Sequence, residues 1–264
     1  MTPFAALHHA DAPLLLPNAW DHASAFALAA AGFEAVGTTS LGVAAAAGLP
    51  DGAAATRDET LGLARRLGTG PFLLSVDAEG GFSDDPERVA ELARTLRAAG
   101  AVGVNLEDGL GAAELHCAKI AAVKSAVPDL FVNARTDTYW LGDGDRTDTL
   151  RRLDAYQQAG ADGVFVPGLT DPERIADLVR HTEVPLNVLH SPAGPTLDRL
   201  ADLGVRRVSL GSLLYRHALG AALETAESVR SGRRPRGAAP TYADVQALSG
   251  GVDRPSYGPV MSSA

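Results

Sequence analysis

The sequence predicts an α/β fold, a closed (βα)8 TIM-type barrel, and three observations carry that expectation. Short apolar runs of strand length alternate with longer helical stretches along the 264 residues. One junction recurs, in Ala31-Gly32-Phe33-Glu34-Ala35-Val36, Ala99-Gly100-Ala101-Val102, Ala159-Gly160-Ala161-Asp162 and Leu203-Gly204-Val205-Arg206. Each joins a helix end, a capping glycine and a tight turn to a strand. No Gly-x-Gly-x-x-Gly turn follows the first strand, which disfavours an open doubly wound sheet.

The elements follow in order. Thr2 to Pro13 reads as a lead-in segment, and Leu14-Leu15-Leu16 as a first strand opening into Pro17-Asn18-Ala19-Trp20-Asp21. Ala23 to Ala31 is a small-residue helix ended by Gly32, and Ala35 to Thr39 begins the next strand. Further strands fall at Phe72 to Val76, Val102 to Leu106, Leu130 to Ala134, Gly163 to Val166, Leu186 to Leu189 and Arg207 to Leu210. Helices fall at Arg57 to Leu67, Pro86 to Ala99, Ala112 to Ala126, Thr147 to Ala159, Asp171 to His181, Thr196 to Leu203 and Ser212 to Val229. That makes eight strands, each followed by a helix, in a catalytic domain over residues 1–230. Barrels of about 250 residues commonly form one domain. Residues 231–264 break the pattern, being rich in Pro, Gly, Ser and Arg. This extension is expected to pack on a neighbouring subunit or lie loose, with a helix only at Tyr242 to Leu248 and disorder in the last few residues.

Composition narrows the partners. A net charge of −9 offers no global basic field for nucleic acid or an anionic membrane, so a small molecule is expected. The only cysteine is Cys117, which excludes an internal disulfide and suits a reducing compartment. No apolar run reaches the roughly 18 residues of a membrane span, and the N-terminus has no signal-like pattern, so the cytoplasm is expected. Lys119 and Lys124 are the only lysines, and both sit in one predicted helix. A Schiff-base mechanism, which needs a desolvated lysine facing substrate, is thereby disfavoured.

In such a barrel the loops after the strands share one face, where distant residues converge. Asp21, Thr39, Ser40, Asp51, Asp77, Glu79, Asn105, Glu107, Asp108, Arg135, Asp137, Asn187 and His190 fall there. Val76-Asp77-Ala78-Glu79-Gly80-Gly81-Phe82 ends one strand in acids, and Glu107-Asp108-Gly109 ends the next. Carboxylates so gathered require a cation or shared protons, and an oxygen-preferring ion such as Mg²⁺ or Mn²⁺ is the simplest solution. Arg135, beside them, could clamp an anionic substrate and stabilise an enolate oxygen, or serve only as an internal counter-ion. Plainer roles are expected elsewhere. Asp84, Asp85 and Asp171 cap helices, Asp137 and the acids from Asp143 to Asp145 order a loop, and Cys117 is an inert helix-face thiol. His8 and His9 are expected on the surface, and His22 in a loop beside Asp21.

Pro17-Asn18-Ala19-Trp20-Asp21, Thr39-Ser40-Leu41-Gly42-Val43 to Asp51, Val76 to Phe82, Asn105-Leu106-Glu107-Asp108 and Ala134-Arg135-Thr136-Asp137 occur in one order and spacing. Together, over roughly Leu14 to Val229, they resemble the isocitrate lyase/phosphoenolpyruvate mutase superfamily. The resemblance implies a barrel whose last helix is often exchanged between subunits, a homodimer or homotetramer, and a Mg²⁺ site. It further implies Asp77 as the direct metal ligand, with Glu79, Glu107 and Asp51 acting through water. Thr39, Ser40 and Leu41 match the loop whose backbone N–H groups hold a substrate carboxylate, Arg135 the substrate-binding arginine, and Asn187 a polar pocket residue. Departures qualify the likeness. The Lys-Arg-Cys-Gly-His lid of isocitrate-cleaving members and the Lys- and Asn-bearing lid of phosphoenolpyruvate mutases are missing, because Gly109-Leu110-Gly111 runs almost directly into a helix. Gly168 stands where isocitrate-cleaving members place a glutamate.

The retained half of the site implies a Mg²⁺-dependent lyase cleaving a C–C bond in a small 2-oxo or 2-hydroxy (di)carboxylic acid. The route is decarboxylation or retro-aldol cleavage through a metal-stabilised enolate, with Arg135, Asp51 and Glu107 as the catalytic candidates. The alternatives are a C–P bond enzyme, acting as a phosphonopyruvate hydrolase or phosphoenolpyruvate mutase does, and a non-catalytic barrel kept for binding or assembly.

Overall fold

The computed structural model describes residues 1–249. In chain order the elements are α1 (Pro3–Leu7), β1 (Leu14–Leu16), β2 (Asn18–Ala19), α2 (His22–Ala30), β3 (Ala35–Thr38), α3 (Ser40–Ala47), α4 (Arg57–Leu67), β4 (Leu73–Asp77), α5 (Pro86–Ala98) and β5 (Ala101–Glu107). There follow α6 (Ala113–Ala126), β6 (Phe131–Arg135), α7 (Arg146–Gln158), β7 (Gly163–Val166), α8 (Pro172–His181), β8 (Leu186–Leu189), α9 (Leu197–Asp202), β9 (Arg207–Ser209), α10 (Leu213–Arg230) and α11 (Tyr242–Ala247). Every strand pairing is parallel, in the order β1-β9-β8-β7-β6-β5-β4-β3-β2.

β1 and β2 are two halves of one stave, so the predicted eight-stave barrel forms. Leu14 to Leu16 pair with β9, whereas Asn18 and Ala19 pair with β3, and this single stretch of chain closes the ring. The break falls at Pro17, which has no N–H for a ladder but whose carbonyl accepts from Gly37 N–H at 2.8 Å. Outside the ring, Leu63, Leu67, Leu92, Leu96, Ile120, Val123, Leu130 and Val132 pack helices α4 to α6 onto their strands. Leu153, Val164, Val166, Ile175, Leu178, Val188 and Val208 do the same for the later units. Each such side chain contributes about 1.5–3 kcal/mol on burial.

Two elements go beyond the sequence-based expectation. The lead-in segment forms α1, which closes the N-terminal end of the barrel. Phe4 is fully buried there and lies edge-on to Phe131, with ring centroids 5.5 Å apart. Gly103 makes room for it, since a Cβ at that position would lie 2.6 Å from the Phe4 ring. His8, expected on the surface, is buried and stacks on Phe131 at 4.2 Å. A helix as short as α1 spans little more than one turn, too little for its apolar spacing to register as periodicity. The second addition is α3, whose Ala-rich sequence has no polar face to mark it as amphipathic.

At the other end of the chain, α10 leaves Leu219 51%, Leu223 65% and Val229 64% exposed. His22, the first residue of α2 rather than a loop residue, donates from Nε2 to the Leu248 carbonyl at 3.0 Å and so ties the segment after α11 to the barrel. The end of the chain for which disorder is expected lies outside the described residues. No described helix is long and apolar enough to cross a membrane.

Candidate active site

β4, β5 and β6 end at Asp77, Glu107 and Arg135, side by side at the C-terminal mouth of the barrel. Glu107 and Arg135 are register partners, and Arg135 Nη1 lies 2.9 Å from Glu107 Oε2. On its other edge, Arg135 Nε and Nη2 both lie 2.7 Å from Asp137 Oδ1. The guanidinium therefore sits between two carboxylates and over the Phe165 ring, 5.8 Å from its centroid. Burial pushes the Glu107 carboxyl up to about 8, with the charges of Asp77, Asp137 and Glu79 adding to the rise and Arg135 opposing it. The mouth holds more negative charge than its one arginine balances.

Asp77 is fixed from β3 and α3. Its N–H donates to Thr38 Oγ1 at 2.8 Å, and its Oδ2 accepts from Ser40 N–H at 3.1 Å, at the N-terminus of α3. Thr39, Ser40 and Leu41, the expected carboxylate-holding loop, lie at the start of α3 beside it. Thr39 N–H is spent on the Ala19 carbonyl at 3.2 Å and Ser40 N–H on Asp77, so of the three only Leu41 offers a first-turn N–H without a helical acceptor. Asp51, exposed on the loop after α3, shares Ser40 with Asp77. Partial burial and the nearby Asp77 charge raise its carboxyl above the usual range, against the Ser40 hydrogen bond.

Glu79 is held by the loop before α4. It is buried with φ at 47°, in the left-handed region that side chains other than glycine rarely occupy. Its Oε1 accepts from Thr56 Oγ1 at 2.5 Å and its Oε2 from Ala54 N–H at 3.0 Å, while its carbonyl accepts from Glu107 N–H at 2.9 Å. One residue thus joins the end of β5 to the loop that carries Asp51. Lys119 is nearly buried and donates from Nζ to the Gly80 carbonyl at 3.0 Å, supporting the same turn from α6. It also pairs with Asp84 at 3.3 Å, so Asp84 is not the helix cap expected; Asp85 and Asp171 do cap α5 and α8.

Asp108 faces away from its neighbour Glu107. Its fully buried side chain accepts from Tyr156 Oη at 2.6 Å, Arg152 Nη1 at 3.0 Å, Leu110 N–H at 3.0 Å and Asp137 N–H at 3.1 Å. Burial would raise this carboxyl, but the donors hold it below the usual range. Asp108 is therefore a structural anchor that fixes the residue beside Arg135. Asp137, expected only to order a loop, is drawn into the site by Arg135.

Other candidates lie apart. Asn187, expected as a polar pocket residue, is buried in the barrel with its Nδ2 donating to Ser209 Oγ at 3.0 Å. Asp21 caps α2 through Ser24 N–H, and His190 is half-buried with its N–H on the Ser209 carbonyl. Cys117 is half-buried, and burial raises its thiol. Among the described residues no three His, Cys, Asp or Glu side chains are grouped to hold one metal ion. In this geometry Glu79 bonds to Thr56 and Ala54, and Glu107 to Arg135, while the resemblance has both act on an ion through water rather than as direct ligands. Among the described residues no donor reaches Asp77 Oδ1, and this oxygen suits a single direct carboxylate ligand.

A family model described as phosphoenolpyruvate phosphomutase matches residues 4–230. The chain belongs to that family. Membership places it in the isocitrate lyase/phosphoenolpyruvate mutase superfamily. An uncharacterised protein of Mycobacterium tuberculosis is 45% identical over 92% of this chain and 95% of its own. A lyase/mutase-type structure from Burkholderia cenocepacia superposes with a TM-score of 0.86 at 39% identity, covering 95% of each chain. The oxaloacetate decarboxylase of Pseudomonas entomophila is 32% identical over 66% of this chain and 65% of its own. Superfamily members include lyases acting on small carboxylic acids, among them the 2-methylisocitrate lyase of Escherichia coli and the oxaloacetate decarboxylase above.

Proposed function

We propose that this protein is a divalent-metal-dependent carbon–carbon lyase acting on a small 2-oxo dicarboxylic acid of the oxaloacetate type. The observation that supports it is Arg135, bracketed by Glu107 and Asp137 beside Asp77 at the barrel mouth. A guanidinium so held is a preorganised donor for a carboxylate or a developing oxyanion. Leu41 N–H, at the start of α3, adds a second donor.

A cation such as Mg²⁺ or Mn²⁺, held directly by Asp77 and through water by Glu79 and Glu107, would supply Lewis acidity at the 2-oxo and carboxylate oxygens. In decarboxylation the bond to the terminal carboxylate breaks, its electron pair moves towards the 2-oxo oxygen, and CO₂ leaves. Arg135 stabilises the negative oxygen, and solvent at the lidless mouth returns a proton to carbon, giving pyruvate. Retro-aldol cleavage of a 2-hydroxy acid needs a base as well, and Asp51, exposed at the mouth, is the carboxylate this reading assigns to it. The decarboxylase among the relatives supports the first route. Assembly as a homodimer or homotetramer belongs to the same proposal, with the exposed Leu219 and Leu223 of α10 as its contact.

Incubation with oxaloacetate, followed by pyruvate release with and without a chelator, tests the reading. Full activity in Asp77→Ala, together with indifference to chelation, would exclude it. A second reading, C–P bond cleavage or transfer, is favoured by the phosphomutase family match. Phosphate released from phosphonopyruvate, followed by ³¹P NMR, separates the two.

A further inference from the structure

Arg207 lies inside the barrel, and among the described residues no carboxylate bonds to it. It is 1% exposed. Nη2 donates to Asn105 Oδ1 at 3.0 Å and Nε to Ser209 Oγ at 3.2 Å, while Nη1 is without a partner among the described residues. Asn105 also accepts from Asn133 Nδ2 at 2.8 Å, and Ser209 from Asn187 Nδ2 at 3.0 Å. A polar relay across four strands is therefore organised around one guanidinium. Asn105 and Asn133 stand two residues before Glu107 and Arg135 on β5 and β6, so the relay is the interior layer next to the mouth.

The arrangement is costly. A buried cation without a counter-ion loses its hydration and gains only neutral hydrogen bonds in return. Burial pulls the Arg207 guanidinium down to about 9, opposed by the Asp77 charge, so it remains a cation at neutral pH. Towards the closed end, the same charge adds to burial in keeping His8 neutral. Packing alone would be served as well by an apolar side chain, as at Val208 beside it on the outer face. A charge in such surroundings is poorly screened and acts over longer distances than one at the surface.

We propose that Arg207 is a positioning residue for the ligand: its buried charge offsets the acids of the mouth and raises affinity for dianionic oxyacids above that for monoanionic ones. The inference rests on the reading of the mouth as an oxyacid site. It acts through the field that Asp77 and the ligand share, and requires no contact between Arg207 and the ligand.

Calorimetric titration of the full chain with oxalate and with pyruvate, with and without Mg²⁺, tests it in Arg207→Met and Arg207→Lys. The expected result is a loss of oxalate affinity of about tenfold or more in Arg207→Met, a smaller loss for pyruvate, an unchanged or higher Tm, and recovery to within a few-fold in Arg207→Lys. Equal loss for both anions, or oxalate binding within twofold of wild type, overturns it. Should Arg207→Met not fold, Arg207→Gln takes its place, and failure of both neutral variants to fold overturns the proposal by making Arg207 an element of the fold. Wild-type protein that binds neither anion refutes the oxyacid reading itself, and this inference with it.

Discussion

Arg135 and Glu107 face each other from adjacent strands, 2.9 Å apart and in register, at the mouth of the barrel. The pair only works as a donor platform because Asp137 fixes the other edge of the guanidinium. Arg135→Lys keeps the charge but loses the planar fork, so it cannot serve both carboxylates and a ligand. Its turnover is expected to fall about a hundredfold or more, with an unchanged circular dichroism spectrum. Near-normal turnover would show that charge alone suffices.

Glu79 and Thr56 should behave as one unit. Thr56→Val removes the 2.5 Å bond and frees the Asp51 loop, and Glu79→Gln leaves the backbone path intact while weakening both contacts. Each is expected to lower turnover roughly tenfold, and the double variant little further, since both remove the same restraint. Additive losses in a double-mutant cycle would place the two residues in separate roles.

Tyr156→Phe takes one donor from the buried Asp108 carboxylate and leaves Arg152 in place. The expected destabilisation is about 1.5–3 kcal/mol, read from urea unfolding midpoints. Removal of the carboxylate itself, in Asp108→Ala, leaves Arg152 partly uncompensated and should cost about 3–5 kcal/mol. Mg²⁺ affinity should stay unchanged in Tyr156→Phe, and a large fall in it would return Asp108 to the metal site.

Two buried histidines contribute to the acid limb of stability. Burial holds His8 down to about 3 and His116 down to about 4, below their ordinary 6.5. Both fold in the neutral form, so their contribution is complete above pH 6.5 and is lost as pH falls from there towards 4 and 3, where the unfolded chain takes up the protons. Each adds a slope of up to about 1.4 kcal/mol per pH unit. His8→Phe should flatten the fall of Tm in that window, and an unaltered profile would assign the acid sensitivity elsewhere.

On α10, Leu219→Glu with Leu223→Glu places charge on a face that is 51% and 65% exposed in the single chain. Light scattering should then report a smaller assembly than wild type. The same mass for both would remove this face from the contact.

The alternation of strands and helices was legible because its signals are local: an apolar run, a glycine at a helix end, a turn. The acids at the ends of β4 and β5 and the arginine at the end of β6 could be read for the same reason, since a strand's end and its direction follow from its neighbours in sequence. Glu107 and Asp108 mark where such reading stops. They are adjacent in sequence, yet Glu107 turns to Arg135 while Asp108 turns to Tyr156 and Arg152, and only packing across two strands and a helix determines which faces the mouth.

By itself, the sequence determined the barrel and the acidic mouth with its arginine, because strand length, helix caps and the position of charge along each unit are written in short stretches. The tertiary structure alone decided that α1 plugs the closed end, that Glu79 is a latch, and that Arg207 stands inside with no carboxylate bonded to it among the described residues. Each of those depends on atoms brought together from distant parts of the chain, where burial and hydrogen-bond partners, and so the energy of a charge, are settled only by the finished packing.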